Sequence, residues 1–183
     1  MKVLVTGSSG LIGSTAVRHW DALGASVVGV DNDMRGVFFG EQGSTRRNLE
    51  LLRSQTRRFE SYPIDIRDRE AIFELIRKHR PELVIHCAAQ PSHDKAREIP
   101  LVDFEVNAVG TLNILEGVRR HAEDAVVCHM STNKVYGDVP NEVPLVELET
   151  RFDYARQEDY YGIDETCRID RTLHSIFGAS KTA

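Results

Sequence analysis

The sequence predicts a doubly wound α/β fold, a parallel sheet covered by helices on both faces. Three observations carry this expectation. Short apolar runs alternate with helical patterns along nearly the whole chain. The runs are continuous rather than alternating in polarity, as strands buried on both faces are. A glycine-rich turn, Thr6 to Gly13, joins the first run to the first helical pattern. The 183 residues suffice for one domain with a substantial core but are short for two. No internal repeat or low-complexity stretch interrupts them.

Lys2-Val3-Leu4-Val5-Thr6 reads as the first strand. Ile12, Ala16, Trp20 and Leu23 then recur at helical spacing, and Gly24 stands where a helix-ending glycine belongs. Ser26-Val27-Val28-Gly29-Val30 is the second strand. Asp33 to Thr45 reads as a long polar loop, followed by a helix with Leu49 and Leu52 inward. Arg58 to Tyr62 is the third strand. Asp68 is placed to cap the next helix, whose stripe is Ile72, Leu75 and Ile76, with Pro81 beyond its end. Leu83 to Cys87 forms the fourth strand, Val102 to Arg120 a helix, and Ala125 to Met130 the fifth strand. Residues Asp138 to Arg171 are polar with little periodicity and read as a long loop.

Composition excludes several functions. With 41% hydrophobic and 28% charged residues the chain is an ordinary globular one. Its net charge of -5 argues against a general nucleic-acid or anionic-membrane partner, both of which call for a basic surface. Cys87, Cys128 and Cys167 are odd in number, far apart and without metal-ligand spacing. They read as buried or inert thiols in a reducing cytosol, with no metal site. Met1 leads straight into a core run and no apolar run could span a bilayer, so a cytoplasmic location without a signal peptide is expected.

The glycine turn carries the chemistry. Gly7, Gly10 and Gly13 are spaced G-x-x-G-x-x-G between a strand and a helix. A pyrophosphate approaching backbone N–H groups at a helix N-terminus needs that absence of side chains. Asp31 closes the second strand, 24 positions after Gly7, where a carboxylate can accept from the ribose hydroxyls of an adenosine. It would repel a 2′-phosphate, so NAD is expected over NADP, with Arg35 the nearby cation that weighs the other way.

The G-x-x-G-x-x-G spacing resembles the short-chain dehydrogenase/reductase superfamily. Asp65-Ile66 after the third strand, His86-Cys87-Ala88-Ala89-Gln90 ending the fourth, Asn107, Ser131 to Gly137 and Gly178-Ala179-Ser180-Lys181 resemble its extended branch, the sugar-nucleotide epimerases and dehydratases. The resemblance implies one NAD-binding domain of Rossmann type over residues 1–183, without the C-terminal strands and the smaller substrate domain of the family. It implies a cofactor set of Gly7, Gly10, Leu11, Ile12, Gly13, Asp31, Asn32, Arg35, Asp65, Ile66, Ala88, Ala89, Gln90, Asn107 and Lys181. The dehydratases carry an Asp-Glu pair after the threonine of the fifth strand, and here Asn133-Lys134 stands there, which cannot serve elimination in the same way. Ala88 to Asp94, Ser131 to Asp138, Leu145 to Arg151, Gly162 to Thr166 and His174 to Lys181 are similar to the group of CDP-paratose (CDP-tyvelose) 2-epimerases. That group implies transient oxidation at C2 of a CDP-linked 3,6-dideoxyhexose by tightly held NAD, and re-reduction from the other face.

By the same resemblance Thr132 bonds the reacting hydroxyl and Lys181 holds the nicotinamide ribose. Ser92, His93, Thr132, Asn133 and Lys134 lie toward the sugar nucleotide. The superfamily's usual tyrosine base falls at Phe177, which has no oxygen. Three readings follow: another group serves (Tyr136, His93, His174, Tyr160 and Tyr161 are candidates), the chain binds NAD without turnover, or Phe177 is an introduced inactivating change. A reductase or dehydrogenase of the same fold is a further alternative. A homodimer pairing the helix around Asn107 with the one near Lys181 is implied for the full-length form.

Overall fold

The computed structural model describes residues 1–183. Five parallel strands form one sheet: β1 (Lys2–Thr6), β2 (Ser26–Val30), β3 (Phe59–Tyr62), β4 (Leu83–His86) and β5 (Val126–His129), in the order β3-β2-β1-β4-β5. The chain leaves β1 toward β2 on one side and returns to β4 on the other. The gap between the carboxyl ends of β1 and β4 is therefore the topological switch point, where open α/β sheets take their ligands.

β1 shows why the sheet is covered twice. Val3 and Val5 pack with Val17, Ala25, Val27 and Leu52 on the face of α1 (Leu11–Ala22) and the helix Arg46–Gln55. Leu4 points the other way, into a cluster with Val28, Val84, Ile72, Ile76 and Ile114. That second cluster is closed by α4 (Arg69–His79) and α7 (Gly110–His121). Asp68 caps α4 by accepting from the Ala71 N–H at 3.1 Å, and Ile72, Leu75 and Ile76 are buried as the periodicity predicts.

Several expectations need correction. In α1 the buried residues are Gly13, Ser14 and Val17; of the expected stripe Ala16 and Trp20 pack against the core, while Ile12 and Leu23 are exposed. The supposed loop from Asp33 contains α2 (Met34–Phe39) and a 3₁₀ turn, Glu41–Gly43, before α3 (Arg46–Gln55). The helix expected from Val102 begins earlier and is broken into α5 (His93–Glu98), α6 (Pro100–Phe104), a π segment Glu105–Val109 and α7. Asn107 sits in that π segment. β5 is the last strand of the sheet order, and Val126 is exposed on it. The long polar stretch contains an antiparallel pair, β6 (Leu145–Glu147) with β7 (Phe152–Tyr154). The last element is α8 (Ile176–Thr182), capped by the Ser175 hydroxyl, which accepts from the Gly178 N–H.

Candidate cofactor and active site

A cavity of about 480 Å³ opens at the switch point. Gly7, Gly10, Leu11, Ile12 and Gly13 form its floor. Gly7 has φ +62, and a Cβ there would stand 2.9 Å from the Ala88 nitrogen, so glycine lets the turn after β4 close on the loop. A Cβ on Gly13 would collide with the Gly7 carbonyl. Gly10 is the N-cap of α1 without any side-chain cap. The first N–H groups of α1 therefore lack intrahelical partners and face the cavity end of the helix dipole. Leu11 is 87% exposed and Ile12 55%, apolar surface that a bound dinucleotide would cover.

One end of the cavity is built around Asp31. Its Oδ2 accepts from the Ser9 N–H at 2.9 Å and its Oδ1 from the Asp33 N–H at 2.9 Å, so the carboxylate is fixed by both loops it joins. Asn32, Arg35, Asp65 and Ile66 line the same end. Burial opposes ionisation of Asp65, but hydrogen bonds from Arg67 outweigh it and hold the carboxyl below the ordinary range. Arg35 lies over the Phe39 ring at 5.1 Å. Ala88 and Ala89 form the wall from β4, and Cys87 lies with them, its thiol pushed up to about 11 by burial.

Gln90, Asn107 and Lys181 lie behind that wall rather than on it. Gln90 and Asn107 are buried, and the Gln90 N–H donates to Asn107 Oδ1 at 2.9 Å. Lys181 donates to the Met130 carbonyl at 2.8 Å and shares a smaller cavity with Asn107, Thr111, His86 and His129. Burial draws the Lys181 ammonium below the ordinary lysine range, and the negative charge of Asp103 opposes this. Phe177 is buried, 8% exposed, and lines neither cavity.

The residues placed toward the sugar are spread over surface turns. Thr132 Oγ1 accepts from the Lys134 N–H and donates to Asn133 Oδ1, both at 3.3 Å. Ser92 is spent capping α5, where it accepts from the Lys95 N–H. His93 is exposed beside Asp94. Of the candidate bases, Tyr160 and Tyr161 are exposed and Tyr136 is half-buried. His174 bonds the Ile169 carbonyl through Nε2, and its buried Nδ1 has no partner.

The model of the NAD dependent epimerase/dehydratase family matches residues 3–168, most of the chain. The chain belongs to this family. Over its full length it is 36% identical to a CDP-paratose 2-epimerase of Salmonella typhi, of which it spans 50%. It is 33% identical over 170 residues to a dTDP-glucose 4,6-dehydratase of Escherichia coli, matching 83% of this chain and 45% of that protein. The UDP-glucose 4-epimerase of Thermus thermophilus, solved in complex with NAD, superposes with a TM-score of 0.70 at 31% identity, over 100% of this chain and 48% of that one. The chain thus spans about half the length of these relatives.

The glycine spacing with Asp31 accounts for the floor and one end of the cavity. It does not account for Met34, Phe38, Ser44, Thr45 and Asn48, which wall the cavity and which sequence reasoning missed. Their signal was faint: apolar Met34, Phe38 and Phe39 inside a stretch read as polar loop. Asn48 is the clearest of them, since its Nδ2 donates to the Ser9 carbonyl at 2.6 Å and ties α3 to the glycine loop. No helix is long and apolar enough to cross a membrane.

Proposed function

We propose that this chain binds NAD in the switch-point cavity and forms the cofactor half of a nucleotide-sugar epimerase, acting at C2 of a CDP-linked dideoxyhexose. The observation that carries the cofactor reading is a single arrangement: an uncapped helix N-terminus opening into a cavity, with the Asp31 carboxylate held beside the glycine loop. Its size and its glycine floor fit a dinucleotide, and Asp31 favours the adenosine ribose of NAD. Bound NAD supplies reversible hydride transfer, which inverts a carbon when the hydride returns to the opposite face.

The chain's own residues hold and orient. Asp31 and the α1 N–H groups anchor the nucleotide, and Thr132 orients the sugar hydroxyl to be oxidised. Lys181 adds positive charge on the nicotinamide side. The absence of carboxylates at Asn133-Lys134 supports epimerisation over dehydration. CDP as carrier is supported by the 36% identity to a CDP-paratose 2-epimerase. The proton of the reacting hydroxyl cannot go to Phe177. Half-buried Tyr136, four residues beyond Thr132 on the same turn, is the phenol we assign to that step.

Leu101, Phe104, Leu112 and Leu115 are exposed along the α6–α7 helices at helical spacing, which supports a homodimer of the full-length protein, measurable by sedimentation. A second reading, NAD binding without turnover, is favoured by the burial of Phe177. The deciding experiment incubates the full-length protein with CDP-, UDP- and dTDP-linked sugars and follows the sugar C2 proton by NMR. Inversion at C2 of the CDP-sugar in D2O with the C2 hydrogen retained supports epimerisation by hydride removal and return. Bound NAD with no change in any sugar would leave only the binding reading.

A further inference from the structure

Asp103 is fully buried in α6, and neutral groups alone satisfy it. Its Oδ1 accepts from Gln90 Nε2 at 2.7 Å and from Asn107 Nδ2 at 3.1 Å, and its Oδ2 accepts from the Ser180 hydroxyl at 2.6 Å. Three segments of the site are thereby joined: the turn after β4, the π segment and α8. Neutral donors fill the lone pairs of a buried carboxylate but leave its charge in a medium of low dielectric. Ser180 directly precedes Lys181, the half-buried cation on which the Asp103 charge acts.

We infer that Asp103 is a positioning residue for Lys181: it anchors α8 through Ser180 and is the counter-charge that keeps the ammonium ionised away from water. The inference rests on reading Lys181 as a cofactor lysine. The surrounding groups leave Asp103 alone in this role. Cys87 stays a neutral thiol, pushed up to about 11 by burial. His86 is held neutral by burial, down to about 3, and His129 is lowered by burial and by Lys181 itself. The other charged groups on elements packed against α8 are His93, Asp94, Lys95, Arg97 and Glu98 of α5, Glu105 of the π segment and Lys134 beside Tyr136. These charges are exposed to solvent or, for Lys95, paired with Glu98, and so act weakly.

The test is the pH dependence of NAD affinity in the full-length protein and its Asp103→Asn, Ser180→Ala and Lys181→Ala variants. Loss of the Lys181 charge should give an alkaline limb of weakening binding. Asp103→Asn should move that limb about one pH unit lower, about fivefold weaker binding at the original midpoint. Ser180→Ala should lower stability and leave the limb in place. A limb that Asp103→Asn does not move, or that Ser180→Ala moves equally, would overturn the inference alone. Lys181→Ala binding NAD as well as the parent would overturn the cofactor role of Lys181 and this inference with it. Should Asp103→Asn not fold, the Lys181 amine can be titrated by NMR after ¹³C-methylation of the unmodified protein. The amine should be an ammonium at pH 7; a neutral amine there would contradict the counter-charge.

Discussion

The carboxylate of Asp31 accepts a hydrogen bond from the backbone N–H of Ser9 at 2.9 Å, so the end of β2 holds the glycine loop in place. Asp31 therefore has two tasks, shaping the loop and receiving the ribose. Asp31→Ala is expected to weaken NAD binding by about 1.5–3 kcal/mol, the scale of hydrogen bonds to a charged group. NADP should bind the unmodified protein more weakly than NAD. Calorimetric titration with both nucleotides checks this, and tighter NADP binding would defeat it.

The glycines of the loop should separate fold from function. A side chain on Gly10 meets only the Gly7 carbonyl at 3.3 Å, whereas one on Gly13 collides with it. Gly10→Val should stay largely folded and lose NAD binding, because the side chain stands where a pyrophosphate would lie. Gly13→Ala should destabilise the fold itself, on the order of 1–3 kcal/mol, through overpacking against backbone. Paired thermal melts and NAD titrations distinguish the two.

His86 makes the fold sensitive to acid. Its Nδ1 lies 2.6 Å from Thr6 Oγ1 and its Nε2 2.9 Å from Thr111 Oγ1. Thr111 donates its own proton to the Asn107 carbonyl, so it accepts from Nε2–H and Thr6 donates to Nδ1. Burial lowers the pKa from 6.5 to about 3. Below pH 6.5 the unfolded chain binds a proton that the folded one refuses. Stability is therefore lost as pH falls from 6.5 toward 3, by up to about 1.4 kcal/mol per unit from this group. Urea unfolding at pH 7, 6 and 5 should show that slope, and His86→Gln should flatten it. Equal slopes in both proteins would show that His86 does not carry the effect.

The strands, the capped helix at Asp68 and the glycine loop were legible because each has a strong local cause. Continuous apolar runs, an Asp N-cap and glycines at fixed spacing act within a few residues of themselves. The π segment at Asn107 was not legible. It is set by long-range contacts: Asn107 bonds to Gln90, Asp103 and Ser180, the last 73 positions away. The wall from Met34 to Thr45 escaped for a similar reason, since Asp33 closes it by accepting from Ser44 Oγ and the Thr45 N–H. The glycine loop, Asp31 and the Ala88-Ala89 wall were thus legible as the lining of one cavity. The arrangement behind Ala89, with Gln90, Asn107 and Lys181, depends on packing between distant segments.

Phe177→Tyr tests the missing phenol. The side chain is buried, so a hydroxyl left without a partner there should cost about 1–3 kcal/mol of stability. NAD affinity should be unchanged, since Phe177 does not line the cavity. In the full-length protein turnover should be retained, since the proton step is assigned to Tyr136; a rise of about 10²–10⁴-fold would contradict that assignment and mark Phe177 as a lost base. A loss of NAD affinity in a folded variant would contradict the placement of Phe177.

The central claim is that the switch-point cavity holds NAD. The most direct measurement denatures the purified protein and identifies the released nucleotide by mass and absorbance, with titration of the stripped protein and of Gly10→Val alongside. NAD or NADH should be released, or should bind the stripped protein, and Gly10→Val should do neither while remaining folded. Release of NADP, or a folded parent protein that takes up no NAD at millimolar concentration, would contradict the account.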